Sequence, residues 1–192
     1  LLLGLGFAFF YALSTIPAAA WADSRNRKRL IIFGVTVWAF ATVGSGLANS
    51  FLFLLACRAL LAIGEATLTP SANSLIADLF TKEKRLIPAI LYTLSTNIGT
   101  VMGLVLGGKL LDELSKQSPL DWPIVGAVTA WQGVYLLVAI PAFLFLILFI
   151  ATAKEPERRQ ENTKLKDKEG AMAYLKSNKK LWLGYFGGIS FL

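Results

Sequence analysis

Arg58 and Glu65 lie inside CRALLAIGEATLTP, residues 57–70, a stretch otherwise apolar or uncharged. Seven residues at about 100° each make close to two full turns. On a helix both side chains therefore point to one face, roughly 10 Å apart along the axis. An ionised side chain at membrane depth is costly, and it is normally paired, turned toward an aqueous cavity or engaged in function. Two readings follow from these residues. One is a buried ion pair or packing network that links this helix to its neighbours. The other is a coupling site, in which a ligand arriving beside Arg58 switches Glu65 between its charged and neutral forms.

Other chemistry is excluded by residue type. The chain has no His and a single Cys, Cys57, so His-based catalysis, zinc sites and a disulfide framework are not expected. No nucleophile and base stand in a pattern that suggests an enzyme, and the outer loops are too short for a ligand-binding ectodomain.

The elements that must position the pair follow from composition. With 55% apolar and 16% charged residues and a mean hydropathy of +0.59, the chain is too apolar for a water-soluble domain of 192 residues. Charges cluster, and between the clusters lie apolar runs over residues 1–22, 30–57, 51–77, 86–108 and 122–153, each about the length that crosses a hydrocarbon core of roughly 30 Å. A sixth run, 181–192, stops short. Runs such as YLLVAIPAFLFLILFIA are apolar on every face, which excludes the alternation of a barrel strand. The expectation is an all-α membrane protein with five spanning helices and the start of a sixth. It divides into a bundle (1–153), a polar connector (154–180) and the beginning of a second bundle (181–192). Leu at position 1 and the truncated last run suggest a piece of a longer chain.

Basic residues recur in alternate loops: SRNRKR after the first helix, TKEKR after the third, and residues 154–180 after the fifth. The positive-inside rule puts those loops in the cytoplasm and the loop with Asp112, Glu113 and Asp121 outside. The net charge of +7 then points to anionic lipid headgroups and not to nucleic acid. Gly99, Gly103 and Gly107 at four-residue spacing form a smooth face for close helix packing. Pro17, Pro70, Pro88 and Pro141 lie in or beside the apolar runs, where they free carbonyls and kink helices.

WADSRNRKRL resembles the signature loop of the major facilitator superfamily, an Asp followed by basic residues at a cytoplasmic turn. With RALLAIGEATLTPSANSLIADLF, GTVMGLVLGG and WQGVYLLVAIPAFLFLILFIATAKEPER, the similarity is to the Spinster-like branch and runs over nearly the whole chain. Departures are Ser24 directly after Asp23, Ala19 four residues before it, Asn26 where many members have Gly, and Leu104 after Gly103 in place of the Pro of drug antiporters. The resemblance implies the N-terminal half of a two-domain carrier, its first helix missing, that works by alternating access. It implies that Arg58 contacts an anionic substrate group or holds Glu65, that Glu65 is a protonation site, and that Asp23, Arg25, Arg27, Asp78 and Arg85 form a cytoplasmic gate. Asn97, with Ser95 and Thr96, supplies polar contacts. Protons are the expected coupling ion, with no other cofactor and no metal. The expected substrate is an amphiphilic anionic lipid such as a lysophospholipid or sphingoid phosphate; the alternative is a sugar acid or other carboxylate. The carrier is expected to be a monomer among membrane lipids, in the plasma membrane or, in a bacterium, the inner membrane.

Overall fold

The computed structural model describes residues 4–158, apart from 118, 123 and 124. Helix α1 (Leu5–Ser24) turns through Arg25 and Asn26 into α2 (Arg27–Gly46), and Leu47–Ser50 leads into α3 (Phe51–Glu65). A two-residue break separates α3 from α4 (Leu68–Leu79). A short 3₁₀ turn at Lys82–Lys84 precedes α5 (Leu86–Ser115), a small antiparallel ribbon pairs β1 (Leu120–Trp122) with β2 (Gly126–Val128), and α6 (Ala130–Thr152) closes the described bundle. Counting α3 and α4 together, five segments are long and apolar enough to span a membrane.

Local chemistry sets the helix starts. The Asn26 side chain accepts from the Arg29 backbone N–H and that of Ser50 from the Phe53 N–H, each satisfying an orphan donor of a first turn. Thr129 and Gln132 form a capping box at α6, and the buried Gln132 amide also donates to the Ala48 carbonyl at 3.1 Å, tying α6 to the end of α2.

The α2 helix sits centrally, packing on α3 and α6 and also touching α1 and α4. Beyond Arg27 and Leu30 in its first turn, its buried positions are small: Gly34, Ala39, Ala41, Thr42, Ser45 and Gly46, and the spans packed on it likewise bury small residues, Ala62, Gly64 and Ala66 in the next and Ala139 and Ala142 in α6. Such residues let backbones approach where lipid supplies no hydrophobic drive between helices. The buried hydroxyls of Ser45, Thr67 and Ser71 bond back to carbonyls of their own chain segment, so none of the three is left unmet. Leucines, isoleucines and phenylalanines instead cover the outside, Leu5, Ile16 and Phe145 among them, as for helices solvated by lipid.

Several boundaries differ from the sequence expectation. The span expected as one run over 51–77 is interrupted at Ala66 and Thr67. The cause is Pro70, which has no N–H to offer the Ala66 carbonyl and whose ring crowds it. Helix α5 continues past Lys109, Asp112 and Glu113, expected in the outer loop, and Lys116 adds modest support to its last turn by pairing with Glu113 at 2.8 Å and Asp112 at 3.5 Å. The ribbon in that loop was not anticipated. The expected face of Gly99, Gly103 and Gly107 meets no other helix among the described residues: apart from the surrounding backbone of α5 itself, no described atom lies within 4 Å of where a Cβ would stand at any of the three. The close approach occurs instead at Gly34 and Gly64, where an added Cβ would lie 2.7 Å from the Gly64 carbonyl and 2.6 Å from the Gly34 carbonyl respectively. The connector beyond residue 158 and the run from Leu181 lie outside the described residues.

Candidate functional site

Arg58 projects from the middle of α3 toward α6, where its guanidinium donates to the Tyr135 hydroxyl at 2.7 Å and lies 5.4 Å from the centre of the same ring. Trp131, one turn earlier, packs edge-on against Tyr135 with ring centres 6.2 Å apart and so fixes the ring that fixes the arginine. Hydrogen bond and cation–π contact together stabilise the cation without neutralising it. Tyr135 was not singled out from the sequence. The signal available was a hydroxyl in the second turn of an almost wholly apolar helix.

Glu65 is the last residue of α3, exposed, immediately before the break. Its position is set from both sides, by the Gly34–Gly64 backbone contact just before it and by the Pro70 interruption just after. No ion pair joins Arg58 and Glu65 among the described residues; the arginine is held by Tyr135, not by the glutamate. Asn97 is exposed on α5 and donates to the Thr93 carbonyl of its own helix at 2.9 Å. Ser95 and Thr96 likewise bond back, to the carbonyls of Tyr92 and Thr93. All three keep acceptor oxygens facing outward, and none is hydrogen-bonded to Arg58 or Glu65.

A second constellation occupies the basic end. Arg27, the first residue of α2, is 1% exposed. Its guanidinium pairs with the Asp78 carboxylate of α4 and, through Nε at 2.9 Å, with Glu155. It also donates to the Pro156 carbonyl at 3.2 Å. Glu155 does more than pair: its two oxygens accept the backbone N–H groups of Arg27 (3.1 Å) and Lys28 (2.7 Å), placing a negative charge on the positive end of α2. Partial burial by itself would push the Glu155 carboxyl up. The N–H of Lys28 and the side chain and N–H of Arg27 outweigh it and hold the group below the ordinary glutamate range.

Three residues on, Arg158 does the converse. Its guanidinium donates to the carbonyls of Ala22 (2.8 Å), Arg25 (2.6 Å) and Asp23, a positive charge on the negative end of α1. The segment after α6 thus clamps both helix ends at the α1–α2 turn.

Of the five residues expected to form a cytoplasmic gate, Arg27 and Asp78 are brought together. Arg85 caps the end of α4 through the carbonyls of Ala77 (2.6 Å) and Phe80 (3.1 Å). Arg25 lies over the Trp21 ring, 5.5 Å from its centre. The Asp23 carboxylate takes part in no ion pair among the described residues, only its backbone carbonyl being engaged. Glu155 and Arg158 were missed, because EPER directly after a spanning helix reads as solvated connector.

Membrane-length helices packed through small residues, carrying ionisable side chains at spanning depth and a carboxylate-bound arginine at the basic end, define an integral multi-pass membrane protein. The chain belongs to the Major Facilitator Superfamily, whose family model matches residues 1–192. Among its relatives it is similar to the protein spinster homolog 1 of Bos taurus, 32% identical over 138 residues, which are 71% of this chain and 24% of that protein. It is also similar to the sphingosine-1-phosphate transporter SPNS2 of Mus musculus, 30% identical over 129 residues, 62% of this chain and 22% of that one. A solved structure of a bacterial homolog of the human lysosomal transporter Spinster, inward-facing and occupied, superposes with a TM-score of 0.74 at 35% identity, covering 85% of this chain and 38% of its own. The chain therefore spans about a quarter of the length of the curated relatives it matches.

Proposed function

We propose that this chain is part of a secondary active carrier that works by alternating access, takes an amphiphilic anionic lipid of the lysophospholipid or sphingoid-phosphate kind, and is coupled to protons through Glu65. The observation that carries the reading is the state of Arg58. It is a cation at spanning depth held by a neutral phenol and by no carboxylate among the described residues. Such a charge favours an anionic ligand as its counter-ion. Glu65 lies about 10 Å along the same helix with no cationic partner among the described residues, so a proton is the simplest group to balance its charge. The apolar surroundings and the name of one relative, a sphingosine-1-phosphate transporter, favour a ligand with an anionic head and a hydrocarbon tail. At the basic end, the Arg27–Asp78–Glu155 cluster would serve as the cytoplasmic gate, with Arg25, Arg85 and Asp23 shaping the helix ends around it. A carrier of this kind performs no covalent chemistry.

The test is thermal unfolding of the full-length protein against lysolipids, sphingoid phosphates and sugar acids, in wild type, Arg58→Ala and Glu65→Gln. A ligand at a hundred times its Kd stabilises by about 2.7 kcal/mol. The expected result is a rise in Tm with a lipid anion that disappears in Arg58→Ala, and that loses its pH dependence but not its size in Glu65→Gln. A response to sugar acids alone would move the protein to the organic-anion carriers. A lipid response indifferent to pH in wild type would remove Glu65 from the coupling role.

A further inference from the structure

A groove of about 360 Å³ runs between α2 and α6 on the outside of the described bundle, apart from Arg58 and Glu65 and from the gate. Ile31, Val35 and Trp38 line it from α2, and Phe145, Leu148 and Phe149 line it from α6. The α2 residues fall at i, i+4 and i+7, and Lys28, three before Ile31, belongs to the same row. The Lys28 ammonium reaches across to α6 and donates to the Ile150 carbonyl at 3.0 Å. That carbonyl is one of the last four of α6, which have no partner within the helix. The groove is therefore lined by apolar side chains apart from Thr152, with the Lys28 cation beyond its Ile31 end. From Lys28 to Trp38 is about 15 Å at 1.5 Å per residue, half of a hydrocarbon core of about 30 Å, so the groove has the depth of one leaflet.

We propose that this groove is a site for an anionic phospholipid of the cytoplasmic leaflet, with one acyl chain along Ile31, Val35 and Trp38 and the phosphate on Lys28. The chain is the natural occupant because the groove walls face lipid: Phe145 is 69% and Leu148 56% exposed. The phosphate follows from hydrogen-bond capacity and charge. An ammonium has three donors and Lys28 spends one on Ile150, leaving two for an oxyanion. The nearby carboxylate that could compete, Glu155, is already engaged by the Arg27 guanidinium and by two backbone N–H groups. Arg29, exposed in the same turn of α2, is in no ion pair among the described residues and adds positive charge. A zwitterionic headgroup would bring its own cation beside these two, whereas an anionic one brings none. The basic loops mark this as the leaflet in which anionic lipids concentrate.

The test uses the full-length protein in phosphatidylcholine vesicles containing acyl-brominated lipid, since bromine quenches tryptophan on contact. The Trp38 signal is isolated by subtracting Trp38→Phe. Brominated phosphatidylglycerol is expected to quench Trp38 at several-fold lower mole fraction than brominated phosphatidylcholine. Lys28→Gln, which keeps the backbone N–H to Glu155, should abolish the difference. In wild type, without any variant, added salt should narrow the difference. Equal quenching by the two lipids would show an ordinary lipid annulus and overturn the proposal. So would absence of Trp38 quenching by either lipid, or a preference that survives Lys28→Gln or ignores salt. The substrate reading stands or falls separately, since its Tm response depends on Arg58 and should be retained in Lys28→Gln.

Discussion

Truncating Arg27 to alanine would strand two carboxylates, Asp78 and Glu155, in a site that excludes most water. Breaking a buried pair in this way typically costs about 3–5 kcal/mol. The expected result is a large loss of Tm for Arg27→Ala and a smaller one for Asp78→Asn, which leaves Arg27 its second partner; equal losses would show that Glu155 contributes nothing. Glu155 also sets a pH dependence. Its folded-state value is depressed, so its stabilisation is complete at neutral pH, above the unfolded value, and is lost as pH falls through the depressed one. Tm should stay level down to the ordinary glutamate range and fall at more acidic pH, and Glu155→Gln should flatten that acid limb. Much at this scale was legible in the sequence. Arg58 and Glu65 were conspicuous because an apolar helix has no cheap place for charge. Tyr135 and Glu155 were not, since a tyrosine in an apolar run and a glutamate in a charged loop are unremarkable until folding sets an arginine against each.

The contact that sets the spacing of α2 and α3 is a pair of glycines. A methyl group at Gly64 would meet the Gly34 carbonyl at 2.6 Å and the Trp38 backbone nitrogen at 2.9 Å, neither of which belongs to a flexible side chain. Gly64→Ala is expected to destabilise by about 1–3 kcal/mol, the usual range for overpacking, and to alter the pH dependence of ligand-induced stabilisation because it displaces Glu65, the next residue. A variant with unchanged Tm in thermal unfolding would show that the two helices can separate freely. The spans themselves were readable from length and hydropathy. The partner faces were not: glycines at four-residue spacing on α5 look like a packing stripe, yet the glycines in contact belong to two different helices and follow no pattern in either one. Pro70, inside the 51–77 run, marked that span as one a proline could kink, but not that the helix would break for two residues at Ala66 and Thr67.

Across the whole molecule, the basic end and the ribbon end should lie on opposite sides of the membrane. With Cys57 replaced by alanine, a cysteine at exposed position 115 should react with an impermeant maleimide added outside, and one at exposed position 24 only after permeabilisation. Reaction of both from one side would overturn the orientation. The expectation of orientation comes from the sequence alone, because it depends on loop charge and not on packing. The clamp at the α1–α2 turn was not legible there, since it joins residues more than a hundred positions apart in sequence. Its consequence is one of reach. The six residues 153–158 are drawn back along the bundle by Glu155 and Arg158. Roughly 20 Å of extended contour is thereby held against the bundle, and its far end, Arg158, is fixed at the α1–α2 turn and not at the end of α6.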